Sequence, residues 1–298
     1  MISSIFLLTL LALFLNCVNA AVKPLIKESF LEPQWLSLPP TPTLPGNPTG
    51  KSVLINGADI WYAEFGNVHS KEVPVLLLHG GLGNSDYYGS LIPLISRERR
   101  IIAMDTRGHG RSTMDERKLT FELYASDATG LLKHLDIQKA AFVGWSHAGV
   151  GTIAAMMGPK TSSFVERAFL YGAYSNVKAN SETYTDEAIF KKFYYRAISE
   201  YKRYQPDGDL EGFITALITL DSSLPLYTAS DLAKIKLGNK VTICFGEHDE
   251  AIKHSEFENL SKMIVGSKKV IIKNASHFGI IQNPEAVAKE LNIALSEK

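Results

Sequence analysis

Ala140-Ala-Phe-Val-Gly-Trp-Ser146-His-Ala-Gly-Val-Gly151 is the stretch whose reading decides the fold. Residues 140–143 are apolar enough for a buried strand, the run breaks at Gly144, and small residues surround one serine before a helix-compatible segment begins. Strand, sharp turn and helix in that order outline a nucleophile elbow. Such a turn forces Ser146 into a strained backbone conformation, and Gly144 and Ala148 have to be small because a larger side chain would strike the strand or the helix. Ala148 stands where the pattern Gly-x-Ser-x-Gly has its second glycine, with Gly149 beside it. The same residues also read as a strand followed by a glycine-containing helix start that the serine caps. Surrounding motifs have to decide between the two.

The chain has 298 residues, 45% of them hydrophobic and 21% charged, which is enough for one large α/β domain or two smaller ones. Lys+Arg and Asp+Glu both number 31, so charge points to neither nucleic acid nor an anionic membrane as a partner. Ile5 to Leu15 is apolar apart from Thr9, too short to span a bilayer, and Val18-Asn19-Ala20 carries the small residues that a signal peptidase accepts. The expectation is a secretory signal over 1–20, a mature chain starting at Ala21, a secreted or extracytoplasmic location and no stable membrane insertion after cleavage. The n-region lacks lysine and arginine, and an uncleaved anchor or a packed apolar helix is the other reading. With Cys17 in the leader, Cys244 in Val-Thr-Ile-Cys-Phe is left as a buried strand residue without a disulfide.

Residues 21–50 carry Pro33, Pro39, Pro40, Pro42, Pro45 and Pro48, and proline removes backbone donors and biases its predecessor towards extended backbone. An extended arm or linker is expected there, followed by a domain over 51–298. Ser52-Val-Leu-Ile and Ala58-Asp-Ile-Trp-Tyr flank Asn56-Gly57, a strong hairpin signal. Strands are then expected at 74–78, 100–104, 140–143, 167–171, 241–245 and 269–272. Amphipathic segments such as Phe121 to Leu135 and Pro284 to Leu295 lie between them. Runs apolar on both faces imply a mostly parallel, eight-stranded sheet covered by helices on both sides, with its ligand crevice at the carboxyl ends of the strands.

The unusual residues fall at those ends: His79-Gly80-Gly81-Leu82-Gly83, then Asp105-Thr-Arg-Gly-His-Gly-Arg-Ser112, then Gly246-Glu-His-Asp249, then Asn274-Ala-Ser-His277. With these motifs in this order, the chain resembles the α/β-hydrolases in their serine-esterase and lactonase branch, from about Lys51 to the C-terminus. The resemblance implies Ser146 as nucleophile, Asp249 as acid and His277 as base. It also implies an oxyanion hole formed by the backbone N–H of His147 and of Gly81, with Leu82 as the alternative to Gly81.

A serine hydroxyl needs an adjacent base, and the base needs a third group to hold its tautomer. Of the eight histidines, His69, His109 and His134 sit in a loop, a turn and a helix end and read as solvated or structural. His147 follows the serine on a tight turn, so its side chain should diverge and its useful group is its amide. His79 lies where the backbone is used, and His248 and His254 carry no signal facing the elbow. His277 remains. For the acid, Glu247 and Glu250 stay open as neighbours of Asp249, while Tyr171-Gly-Ala-Tyr-Ser-Asn offers no carboxylate. Asp105 and Arg107 read as hydrogen-bonding groups that fix a turn.

From about 176 to 227 the alternation stops. Thr185 to Tyr204 and Asp209 to Leu220 place apolar residues at helical spacing, as in the family's cap, with Lys191, Lys192, Arg196, Lys202 and Arg203 as a solvated face. A cap of that size suggests a pocket of a few hundred Å³ for small or medium substrates. No metal-ligand spacing is present, and the glycine-rich loop lacks the lysine of a phosphate-binding loop, so no cofactor is expected. The expected activity is hydrolysis of a carboxylic ester or lactone through an acyl-enzyme. C–C bond, amide or terminal-proline peptide hydrolysis on the same triad, or a slow-turnover ligand receptor, are the alternatives, because function on a shared fold lives in the site.

Overall fold

The structure, a computed structural model, describes residues 32–95 and 98–296. The expected leader, with Cys17, lies outside them. Eight strands form one sheet: β1 (Lys51–Ile55), β2 (Ala58–Gly66), β3 (Val75–Leu78), β4 (Arg100–Met104), β5 (Ala140–Trp145), β6 (Val165–Tyr171), β7 (Val241–Gly246) and β8 (Lys268–Ile272). Their order is β1-β2-β4-β3-β5-β6-β7-β8. β2 pairs antiparallel with β1 and β4, and every later neighbour is parallel. The β1–β2 turn takes Asn56 at φ 47° and Gly57 at φ 79°, the two positive values that a tight primed hairpin turn needs.

The helices are α1 (Phe121–His134), α2 (His147–Met157), α3 (Ala188–Tyr204), α4 (Leu210–Ser223), α5 (Ala229–Leu232), α6 (His254–Met263), α7 (Gly279–Gln282) and α8 (Pro284–Ser296). Alternation along each strand sends its side chains to two cores. Leu76 and Leu78 join Phe121, Leu131 and Val150 from α1 and α2, while Val75 and Leu77 join Val287 and Leu291 from α8. Each such leucine or valine is fully buried or nearly so, worth roughly 1.5–3 kcal/mol apiece. Thr120 caps α1 by accepting the Leu123 amide at 3.0 Å.

The expected cap sits between β6 and β7. Its helices α3 and α4 send Phe193, Tyr194, Ile214 and Ile218 into one cluster with Trp145 of the elbow. The expected basic face needs one correction. Arg196 is half-buried, and its guanidinium donates to the carbonyls of Leu38 at 3.0 Å and Pro39 at 2.5 Å. An arm rich in proline offers acceptors without competing amides, so a cationic side chain of the cap pairs with it instead of with water. The described part of the arm is therefore packed against the domain and is not a free linker. Cys244 is buried on β7 as a free thiol, which burial holds well above its ordinary pKa. Among the described residues no helix is long and apolar enough to cross a membrane.

Candidate active site

Ser146 sits between β5 and α2 at φ 55° and ψ −119°, a conformation that costs a non-glycine residue about 1–3 kcal/mol. Neighbours hold it there: its amide donates to the Tyr171 carbonyl at 2.8 Å, and its carbonyl accepts from the Val150 amide at 3.0 Å. A methyl group on Gly144 would come within 2.5 Å of the Ala148 carbonyl oxygen, and one on Gly149 within 2.7 Å of the Ala173 side chain. The second tight contact of this elbow is thus taken up by Gly149, which leaves room for Ala148 where a glycine is more usual.

The glycine-rich loop after β3 lies against this turn. A Cβ on Gly80 would stand 3.3 Å from Cβ of Ser146, and one on Gly81 only 2.5 Å from Nδ1 of His147. Gly81 therefore packs against the His147 imidazole. The amides of Gly81, Leu82 and His147 donate to no protein acceptor among the described residues. Leu82 has φ 62° and lines the cavity.

Asp249 follows β7. Its Oδ1 accepts the amides of Ala251 at 3.1 Å and Ile252 at 2.9 Å, and both carboxylate oxygens lie within hydrogen-bond reach of Nδ1 of His277, at 3.1 and 3.0 Å. Burial by itself would depress the His277 imidazole. The charge and hydrogen bonds of Asp249, with a further contribution from Glu250, override burial and raise it above the ordinary value of 6.5. Gly172, at φ 58° after β6, clears space for the ring, since a Cβ there would lie 2.7 Å from Cε1 of His277. Ser146 Oγ makes no hydrogen bond to His277 among the described residues; the two side chains meet as walls of one cavity. Such bonds often tighten only with substrate bound.

Four side chains hold the backbone around His277. The indole of Trp145 donates to the His277 carbonyl at 2.8 Å and the Tyr171 hydroxyl to that of Ser276 at 2.8 Å. Oε2 of Glu250 accepts the His277 amide at 3.0 Å, and Oε1 of Gln282 accepts the Ser276 amide at 2.8 Å. The sequence offered Glu250 only as an alternative acid and gave none of the four this role, because each acts through a contact made only on folding. Of the alternatives to Asp249, Glu247 pairs with Lys273 at 2.7 Å at the surface, and Glu250 grips the backbone, not the imidazole.

Burial and the neighbouring Asp249 push the Glu250 carboxyl up to about 7. The raised value means that its neutral form suits the fold, so its contribution to stability is present below about 4.5 and is lost as pH rises through about 7. Glu250→Gln keeps an acceptor for the His277 amide and removes the charge. The variant should lose less stability than the parent on going from pH 5 to 8. The rising limb of its pH–rate profile should move to lower pH, because one of the charges that hold the proton on His277 is gone. Thermal melts and initial rates across that range check both outcomes, and an unmoved limb would contradict the coupling.

The His147 side chain lies on the cavity wall and does not go to solvent. Its Nε2 approaches Oδ1 of Asp221, on the last turn of α4, to 2.6 Å, an ion-pair distance reached without hydrogen-bond alignment. His79 and His109 are buried, and burial holds both below the ordinary histidine value. Asp105 accepts the Ser85 amide at 2.7 Å and the Arg111 amide at 2.9 Å, and Arg107 binds Asp127 at 2.7 Å, so these two do fix the turn after β4. Trp145, Tyr174, Phe190, Phe193 and Leu217 wall the cavity around Ser146 and His277. Phe190, Phe193 and Tyr194 of α3 bring the aromatics of the cap into its wall. Among the described residues no group of three or more His, Cys, Asp or Glu side chains is arranged to hold a metal ion.

The sequence model of the alpha/beta hydrolase fold matches residues 73–224. The bifunctional esterase/perhydrolase DCH of Acinetobacter calcoaceticus is 29% identical over 133 residues, 44% of this chain and 47% of that protein. The human serine hydrolase BPHL is 31% identical over 134 residues, 43% of this chain and 44% of that one. The chain spans about half the length of the curated relatives it matches. Among solved structures, the enol-lactonase from Burkholderia xenovorans LB400 superposes with a TM-score of 0.68 at 21% identity, covering 83% of this chain and all of that one.

Proposed function

Because this chain belongs to the alpha/beta hydrolase fold family, we propose that it is an enzyme that hydrolyses a carboxylic ester or lactone of a small or medium substrate through an acyl-enzyme. The reading rests on Ser146 held at φ 55° on the cavity that also receives His277, whose Nδ1 is 3.0 Å from Asp249. Ser146 Oγ attacks the carbonyl carbon as Nε2 of His277 takes the hydroxyl proton. The carbonyl electron pair moves to oxygen, which the amides of Gly81 and His147 receive, each such donor being worth about 3–4 kcal/mol of transition-state stabilisation. As the pair returns, the alkoxide leaves with the proton from His277. Water then repeats the sequence on the acyl group, releasing the acid and restoring Ser146.

The cavity narrows the substrate class. With aromatic side chains of the cap walling the cavity, short- and medium-chain esters or lactones are favoured, and no rate jump at an oil interface is expected. p-Nitrophenyl esters of two to sixteen carbons, assayed above and below the micelle concentration alongside fluorophosphonate labelling of Ser146, test this. Binding without turnover would make the chain a receptor. A preference for the longest chains with a jump at micelle formation would make it a lipase.

A further inference from the structure

We propose that Gln282 is a positioning residue for His277 and that the proline-rich arm, through it, couples the His277 loop to the cap; this rests on the serine-hydrolase reading. Gln282 is buried on α7, and its amide group is fully used. Oε1 accepts the Ser276 amide at 2.8 Å, while Nε2 donates to the carbonyls of Trp35 at 3.1 Å and Ser37 at 2.8 Å. The Gln34 side chain donates in return to the Gln282 carbonyl. Of the four side chains that hold the His277 backbone, Trp145, Tyr171 and Glu250 belong to the core strands and their adjoining loop. Gln282 is the one whose far end is held by the arm.

The same few residues of the arm reach the other parts of the site. The Trp35 ring stacks on His248, the neighbour of Asp249, with centroids 4.0 Å apart. Leu38 and Pro39 present their carbonyls to Arg196 of α3. The Thr41 hydroxyl donates to Oε1 of Glu200 on α3, whose Oε2 accepts the Asn84 side-chain amide at 2.9 Å, just beyond the glycine-rich loop. Between Gln34 and Thr41 the arm thus touches the segment that carries His277, the turn that carries Asp249 and the cap, and through Glu200 it is linked to the end of the oxyanion loop. Pro39 and Pro40 explain why it can do so: they lock an extended backbone with no amide to compete, leaving a row of carbonyls for donors from the domain. A positional error of about 1 Å in a catalytic group can cost on the order of 100-fold in rate, so a tie at Ser276 bears directly on the imidazole.

The test uses the full chain. Gln282→Leu removes all three side-chain hydrogen bonds at similar volume; Gln282→Glu keeps the acceptor for Ser276 but sets a carboxylate against two carbonyls. Both are expected to lower kcat on a short p-nitrophenyl ester by about 10- to 100-fold, and fluorophosphonate labelling by the same factor, with KM within about threefold and cooperative thermal unfolding retained. Arg196→Met should act mainly on KM. Combined with Gln282→Leu it should cost less than the product of the two single effects, because the arm is then already detached. Should Gln282→Leu not fold, Trp35→Ala, which leaves Gln282 intact, is expected to lower kcat several-fold. An unchanged kcat in a folded Gln282 variant, Leu or Glu, overturns the positioning role, and an unchanged kcat in Trp35→Ala or strictly multiplicative effects overturn the coupling through the arm. A parent protein that fails to react with fluorophosphonate at all refutes the serine-hydrolase reading itself, and this inference with it.

Discussion

Ser146→Ala is expected to lower kcat on a short-chain ester by roughly 10³- to 10⁶-fold while leaving KM within a few-fold. A triad acts as a unit, so removing its nucleophile leaves only binding and oxyanion stabilisation, and that residue of catalysis is of the order seen when any triad member is lost. Folding is a separate matter. The strained φ of 55° is imposed by the bond from the Ser146 amide to Tyr171 and by the packing of Gly144 and Gly149, none of which involves the hydroxyl. The hydroxyl itself makes no hydrogen bond among the described residues. The melting temperature should therefore change little, and steady-state rates beside a thermal melt separate lost chemistry from lost structure. Near-normal turnover by the alanine variant would sink the mechanism.

Asp249→Asn is expected to cost about 10⁴-fold in kcat through the tautomer of His277. Oδ1 of Asp249 is bound by two backbone amides, from Ala251 and Ile252, so an asparagine has to place its carbonyl oxygen there. Its NH₂ group then takes the place of Oδ2, 3.0 Å from Nδ1 of His277. An NH₂ can only donate, and the carbonyl oxygen, though 3.1 Å from Nδ1, is already taken by two backbone amides, so the tautomer with Nδ1 as acceptor and the proton on Nε2 is favoured, and Nε2 in that tautomer cannot accept the Ser146 proton. The variant also loses the charge that raises the His277 pKa. The parent's rate should rise with pH through a value above 6.5, and the residual activity of the variant should titrate lower. Since the raised pKa belongs to the folded state, His277 stabilises the parent fully below 6.5 and progressively less as pH rises through the folded value. That dependence should flatten in Asp249→Asn. An asparagine variant within tenfold of the parent would mean that another acid orients His277.

What the sequence determined by itself is whatever a short run of neighbours dictates. Short runs of apolar residues set the strands to within a residue or two, Asn56-Gly57 set the hairpin, and the small residues around Ser146 set the turn. Each depends on backbone sterics and on which faces a segment can bury. Motif order along the chain likewise indicated Ser146, Asp249 and His277 before any contact was known, because parallel strands bring their carboxyl ends to one side of the sheet. Only the tertiary structure decided what surrounds them. Gly149, not the position of Ala148, meets the facing chain because the second tight contact is with Ala173, far off in sequence. Arg196, which reads as a solvated lysine-like charge on a helix, is turned towards an arm whose prolines leave carbonyls unpaired. Glu250 and Gln282 carry no local pattern at all. Their roles follow from burial and from hydrogen bonds between segments that the fold alone makes neighbours, where low polarity makes each partner costly to lose.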